Sequence, residues 1–297
     1  MTIRYRSWAI AVALFLGLAL IGSGSTAAAS STGAITYAVT IQNLTKGQPF
    51  SPPVAATHQT GFHMFQTGQL ASDALAAIAQ DGDPMPMLQL VSGAARVTDR
   101  FNIGHPMTPQ GTQKMPMGMT VTDTATFAIT ANPGDRFSLA TMLTCTNDGF
   151  LGLDGVALPD QGSLSYELKS YDAGREQNTE KAADMVDSCS ALGPVMLPGD
   201  PGGNRDKEVA TTPAQLIGPH PAIKGTGDLT VAMHGWTDPV ARVTIARQGA
   251  AMPGLPNTGD GGAQRHSQAP ILPLAALGLV ALLGTGLALG RGRRVRR

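Results

Sequence analysis

The chain has 297 residues, with 21 Lys and Arg against 21 Asp and Glu, so its formal net charge is zero. The ends of the chain hide an acidic middle: without the two arginines near the N-terminus and the five at the C-terminus, 14 basic residues face 21 acidic ones, a net charge of −7. An acidic exterior of this kind argues against a nucleic-acid partner, because phosphates attract basic surfaces. It suits a protein that meets cations.

The N-terminal segment, residues 1–29, predicts export from the cytoplasm. Arg4 and Arg6 precede an apolar run over residues 8–21, and small residues follow it as far as Ala29. This order is typical of a secretory signal peptide that is cleaved just after Ala29. An uncleaved membrane anchor is the alternative, and in both cases the bulk of the protein is exported.

The region between the ends, residues 34–248, has the length of one substantial β domain or two small ones. Alternating apolar and polar residues predict strands at 35–44, 124–131, 136–144, 162–169 and 240–247. The first and last of these are expected to pair or pack together. A helix is expected over 72–79, where Ser72 can cap a run of good helix formers.

Two cysteines, Cys145 and Cys189, are the only ones in the chain. In an oxidising compartment an even pair predicts one disulfide, whereas their spacing does not suit a C-x-x-C redox or zinc site. Two free buried thiols are the alternative.

The C-terminal region contains three parts in a fixed order. A Gly-, Pro- and Gln-rich linker, 249–270, carries the motif LPNTG at 255–259; an uncharged run, 271–290, and an arginine-rich tail, 291–297, follow. The run is long enough to span a bilayer, and a basic tail stays on the cytoplasmic side. This order resembles a bacterial sortase signal, which implies transfer of Thr258 to the cell wall with cleavage before Gly259. A permanent membrane anchor is the alternative.

Acidic turns give the strongest sign of chemistry. The stretch CTNDGFLGLDGVALP contains Asp148 and Asp154, and a second turn, YDAGREQN, contains Asp172 and Glu176. Calcium takes about six to eight oxygen ligands in irregular loops, so two acidic turns at one end of a β domain predict a calcium site. The EF-hand pattern is absent, and plain turn chemistry is the alternative.

Two further hypotheses rest on other side chains. The first is an extracellular enzyme that uses a carboxylate pair as general acid and base. The sequence contains no nucleophile motif to support it, so no enzymatic activity is predicted. A copper(I) site would use thioether sulfur from a methionine-rich loop close to His105, with loose packing over the core as the alternative. Its methionines are Met107, Met115, Met117 and Met119. A histidine metal site is weaker, because His58, His63, His220 and His234 lack ligand spacing.

A series of blocks resembles the bacterial branch of the spondin domain, which also forms the middle of the matrix protein F-spondin. In order, the blocks are YAVTIQNLTKGQPFSPPVAATH, ASDALAAIAQDGD, NPGDRFSLATML, TNDGFLGLDGVALP, YDAGREQN, HPAIKGTGDL and DPVARVTIAR. The resemblance covers about 35–247. It implies an all-β fold, namely an antiparallel β-sandwich with one short helix, flanked here by the signal peptide and the C-terminal sorting or membrane helix.

The same resemblance implies one bound calcium ion, with ligands at the positions of Asp148, Asp172 and Glu176. Glu176 stands where F-spondin has Asp, so its longer side chain is expected to reach the ion with altered affinity. Asp154 has no counterpart among the family's ligands and is predicted to be a hairpin residue. The expected function is structural or adhesive at the cell surface, with a membrane or peptidoglycan attachment and with matrix, glycan or surface-protein partners.

Overall fold

The computed structural model of the protein describes residues 33–186, 188–197 and 209–249. The strands are β1 (Ile35–Asn43), β2 (Val54–His58), β3 (Val97–Asn102), β4 (Gln113–Lys114), β5 (Val121–Thr122), β6 (Thr124–Ala131), β7 (Arg136–Met142), β8 (Gly149–Ala157), β9 (Ser163–Leu168), β10 (Ser170–Asp172), β11 (Gly218–Pro219) and β12 (Ala241–Arg247). The helices are α1 (Asp73–Asp81), α2 (Met85–Gly93), α3 (Ser188–Leu192) and α4 (Val231–His234). Short 3₁₀ turns occupy Pro116–Gly118 and Ala182–Asp184.

The strands form two antiparallel sheets and a small hairpin. One sheet has the order β6-β1-β12-β9, the other the order β11-β10-β8-β7-β2-β3, and β4 pairs with β5. Val39 of β1 lies opposite Ile245 of β12, so the first and last strands pair, as the sequence predicts. The predicted antiparallel β-sandwich is confirmed.

The main core lies between the two sheets. Period-2 alternation in β1 buries Tyr37, Val39 and Ile41, which pack with Phe137 and Leu139 of β7. This alternation is the pattern from which the sequence predicts the strands of the four-stranded sheet.

A second core covers the outer face of the six-stranded sheet. Ala140 of β7 and Phe150 of β8 point outwards to contact Leu75 of α1 and Met87 of α2. The outer face is therefore covered as well, and β7 is buried on both sides.

The predicted helix over 72–79 is confirmed as α1. The Ser72 hydroxyl accepts the N–H of Leu75 at 3.2 Å, and Gly82 ends the helix in the left-handed conformation. The prediction of a single short helix is wrong, because the structure also contains α2. The prolines at the start of α2 suggest a turn when the sequence is considered alone. Proline is well tolerated in the first turn of a helix, where its missing N–H has no partner to lose.

The two acidic turns lie at one end of the sandwich and the ends of the domain at the other. Asp172 pairs with Gly149 at the start of β8, whereas Arg136 pairs with Ala157 at its end. Residues from the start of β1, the end of β12 and Ala157 line one cavity of about 600 Å³. The chain therefore enters and leaves the domain at the end remote from the acidic turns.

Several predicted segments lie outside the described residues: the signal peptide 1–29, most of the linker 249–270 with LPNTG, the apolar run 271–290 and the tail 291–297. Within residues 33–186, 188–197 and 209–249, no helix is long and apolar enough to cross a membrane.

Candidate metal centre

Asp148 lies in the turn that connects β7 to β8, and its side chain is fully buried. Its Oδ2 atom accepts two backbone N–H groups from the second acidic turn, those of Arg175 at 2.6 Å and Glu176 at 2.9 Å. The N–H of Ala173 also donates to the backbone carbonyl of Asp148. The sequence expectation that the two acidic turns meet is therefore correct.

The second oxygen of Asp148 has no hydrogen-bond partner. Oδ1 is buried and accepts no hydrogen bond. Burial and the nearby charge of Asp172 raise the pKa of Asp148 to about 6. A buried carboxylate oxygen without a partner is unfavourable unless a proton or a cation neutralises it.

Asp172 ends β10 directly opposite Gly149, the residue after Asp148. Its Oδ1 accepts the N–H of Gly174 at 2.7 Å, and its Oδ2 accepts the side-chain amide of Asn178 at 2.6 Å. Gly174 has a φ of +71°, and a Cβ there would lie 2.4 Å from the carbonyl oxygen of Gln215. The glycine of YDAG is thus required by both its conformation and its close contact.

Glu176 contributes to the centre mainly through its backbone. Its side chain is buried at 4% exposure, and its Oε1 accepts the side-chain amide of Gln80, at the end of α1, at 2.7 Å. Its N–H is one of the two donors to Asp148. Glu176 therefore connects the acidic turns to α1.

The structure brings the three predicted residues into one neighbourhood, but their carboxylates do not converge on one point. Within the described parts of the chain, no three or more His, Cys, Asp or Glu side chains form a group that could hold a metal ion. The unpartnered oxygen of Asp148 and the adjacent charge of Asp172 nevertheless suit a hard cation. Calcium completes its shell with backbone carbonyls and water, so two carboxylates can be enough.

Comparison with protein families matches residues 41–188 to the Spondin_N model. This match supports a spondin N domain over those residues. The matched residues include both acidic turns. The fold continues beyond them, because β12 pairs with β1 as far as Arg247. No curated protein matches the chain.

Asn147 fixes the first acidic turn of the spondin domain to the segment that follows the second. Its side-chain amide donates to Thr179 Oγ1 at 3.2 Å and to the carbonyl of Asp184 at 3.3 Å, and its Oδ1 accepts the N–H of Glu180. Nothing in the TND triplet distinguishes this structural residue from its neighbour Asp148.

Glu180 is a further buried carboxylate that the sequence did not single out. It has a φ of +56° and accepts the backbone N–H groups of Lys224 at 2.5 Å and Thr226 at 2.7 Å. Burial opposes its ionisation, but these hydrogen bonds outweigh burial and lower the pKa of Glu180. Backbone donors thus occupy both of its oxygens, and Glu180 fixes the 222–228 loop.

The predicted disulfide between Cys145 and Cys189 is present and joins positions with a sequence separation of 44. Both cysteines are fully buried in a small cluster with Met185, Ile223 and Leu229. The bond connects the turn that carries Asp148 to α3.

The interpretation of Asp154 as a hairpin residue is wrong. Asp154 lies inside β8, where its Oδ1 accepts the N–H of Met64 at 2.8 Å and its Oδ2 contacts His63 Nδ1. The Ser138 hydroxyl lies between Asp154 and His58 Nε2. Asp154 therefore holds the 59–68 loop over the outer face of the sheet.

The methionines of the proposed copper loop separate in the structure. Met107 is fully buried in the main core, whereas Met115 and Met119 are 66% and 49% exposed near the hairpin of β4 and β5. This placement accords with packing for Met107, which is separated from the exposed pair.

Proposed function

We propose that the protein is an exported, surface-anchored calcium-binding protein with a structural or adhesive role. The observation that carries the proposal is the buried, unpartnered Oδ1 atom of Asp148 beside the charge of Asp172. Oxygen donors of this kind are the ligands that calcium prefers. In this proposal Asp148 and Asp172 bind the ion directly. Glu176 holds Asp148 through its backbone N–H and supplies its carboxylate as the third ligand.

The proposed role of the ion is to stiffen one end of the sandwich. Asp148 already holds the backbone of 175–176, so an ion on its other oxygen would couple the two acidic turns more strongly. This end lies away from the point where the chain leaves the domain. The partners proposed there are matrix, glycan or other surface molecules.

Calorimetric titration of the full chain in detergent with calcium tests the proposal. We expect binding heat and a melting temperature that falls when EGTA removes the ion, because a ligand at 100 times its Kd stabilises by about 2.7 kcal/mol. Asp148→Asn should abolish both effects, while the matched variant Asp154→Asn, from the same strand region, should keep them. Absence of heat and of any chelator effect in the wild type would refute calcium binding.

Surface anchoring is a separate part of the proposal and rests on the order of LPNTG, apolar run and basic tail. A sortase would cleave the bond between Thr258 and Gly259 and join the Thr258 carbonyl to an amine of the cell wall. The protein should then appear in wall material released by lysozyme, and Thr258→Ala should shift it to the membrane fraction. An equal distribution of the wild type and the variant would favour a permanent membrane anchor.

A further inference from the structure

His220 packs against the strand that begins at the proposed calcium centre. Its backbone N–H donates to the carbonyl of Ser170 at 3.2 Å. Its ring lies over Gly149, where an added Cβ would be 3.0 Å from His220 Cδ2. Gly149 follows Asp148 in the chain and pairs with Asp172. The imidazole is therefore next to the residues proposed to hold the ion.

The local backbone fixes which ring nitrogen carries the proton. His220 Nδ1 accepts the N–H of Ala222 at 3.0 Å, so in the neutral ring the proton resides on Nε2. Burial lowers the pKa of His220 to about 4, although the charge of Asp172 opposes this shift. Because Nδ1 accepts a backbone N–H, the ring is an uncharged donor through Nε2–H.

This donor has no partner. Three buried side-chain atoms lack a hydrogen bond in the described part of the chain: Asp148 Oδ1, His220 Nε2 and His234 Nε2. The first is an acceptor and the second a donor, and Asp172 is the charge that acts most strongly on both. Since an unmade buried hydrogen bond is unfavourable, a complementary unpaired acceptor and donor close to Gly149 point to a polar ligand that both groups can bind.

We propose that His220 is a positioning residue of the centre, whose Nε2–H donates to a water molecule coordinated by calcium bound at Asp148 and Asp172. The inference rests on the proposed calcium binding and adds a residue to it. Because Nδ1 is already an acceptor and Nε2 carries the proton, His220 offers no free lone pair to a metal. The centre is therefore selective for hard, oxygen-seeking cations over zinc or copper.

Terbium(III) luminescence on the full chain in detergent tests this role. Terbium replaces calcium in such sites. Trp236, whose ring lies 5.1 Å from the His220 ring, can sensitise the terbium emission. Emission lifetimes in H₂O and D₂O then count the water molecules bound to the ion. His220→Phe retains an aromatic ring against Trp236 but removes the donor. We expect about tenfold weaker calcium and terbium binding and one bound water fewer, the effect of about one hydrogen bond.

Two further variants separate the donor from packing. His220→Gln supplies an N–H without the ring, so its affinity should stay within about threefold of the wild type. His234→Phe removes the other buried histidine with an unpartnered Nε2 and should leave affinity and water count unchanged.

The possible results separate this inference from calcium binding itself. Unchanged affinity and water count in His220→Phe overturn the inference, even where the metal-free variant is less stable. An equal loss in His220→Gln and His220→Phe also overturns it, since the N–H would then be irrelevant. A wild type that binds neither ion refutes the proposed function before any variant is compared.

Discussion

The N–H of Glu176 donates to Asp148 Oδ2 at 2.9 Å, so the backbone of one acidic turn holds the carboxylate of the other. The two oxygens of Asp148 therefore have different roles. Oδ2 belongs to the fold, while Oδ1 is left buried and unpartnered. This division makes the stability of the metal-free protein sensitive to the charge of a single side chain.

The first prediction concerns pH and the metal-free protein. The pKa of Asp148 is raised from 3.8 to about 6 by burial and by Asp172. Between these values the folded protein keeps a proton that the unfolded chain releases. The contribution of Asp148 to stability is thus complete below about pH 4 and is lost as pH rises through about 6, in total on the order of 3 kcal/mol.

Urea unfolding in EGTA at several pH values measures this effect as the difference between wild type and Asp148→Asn. The two proteins should be similar near pH 4, and the variant should be the more stable one near pH 7. Added calcium should stabilise the wild type alone at pH 7. A difference that is constant across pH would show that Asp148 is not the group responsible.

The second prediction concerns Asp154 and the loop that it holds. Asp154→Ala removes the acceptor of the Met64 N–H and the partner of His63, and should destabilise by about 1–3 kcal/mol. Limited proteolysis should then cut within 59–68, while calcium affinity should match that of the wild type. A loss of calcium binding equal to that of Asp148→Asn would assign Asp154 to the metal centre.

The sequence predicts the strands of the sandwich where one face of a sheet is buried and the other is exposed. Val39 and Ile245 belong to such strands and give clear alternation. In β2 every residue is buried, because α1, α2 and the 59–68 loop cover the outer face of its sheet. Alternation disappears there, and β2 could not be predicted from periodicity.

The candidate site shows the same limit. Asp148 and Asp154 both precede glycine in one short stretch, and no local feature separates them. The difference is made by distant backbone: N–H groups of 175–176 reach Asp148, whereas the N–H of Met64 reaches Asp154. Family resemblance led to Asp148, but the contributions of Gln80 and His220 depend on packing between remote segments and became visible only in the fold.

The third prediction concerns the disulfide. Replacing both cysteines, Cys145→Ala with Cys189→Ala, removes a cross-link between positions 44 residues apart and should destabilise by about 4 kcal/mol in the chain-entropy model. Calcium affinity should also fall, because the turn that carries Asp148 loses its connection to α3. Urea unfolding and calorimetry measure the two effects separately. Stability equal to that of the wild type would contradict a structural role for the bond.

The fourth prediction concerns Glu180, whose carboxylate accepts the backbone N–H groups of Lys224 and Thr226. Glu180→Gln turns an NH₂ group towards one of these donors. The free energy of unfolding should therefore fall by about 1–3 kcal/mol near pH 7. Glu167→Gln is the matched control, because Glu167 is 54% exposed at its side chain and bonded to Arg242, and it should change stability by less than about 1 kcal/mol.

The effect of Glu180 also has a defined pH dependence. Its hydrogen bonds lower the folded-state pKa below the ordinary value of 4.5, so the stabilisation is present above that pH and lost as pH falls through the folded-state pKa. The difference in free energy of unfolding between wild type and Glu180→Gln, measured in urea, should therefore be largest at neutral pH and smaller in acid. A gap that widens in acid would mean that the protonated carboxyl, rather than the carboxylate, fits the loop.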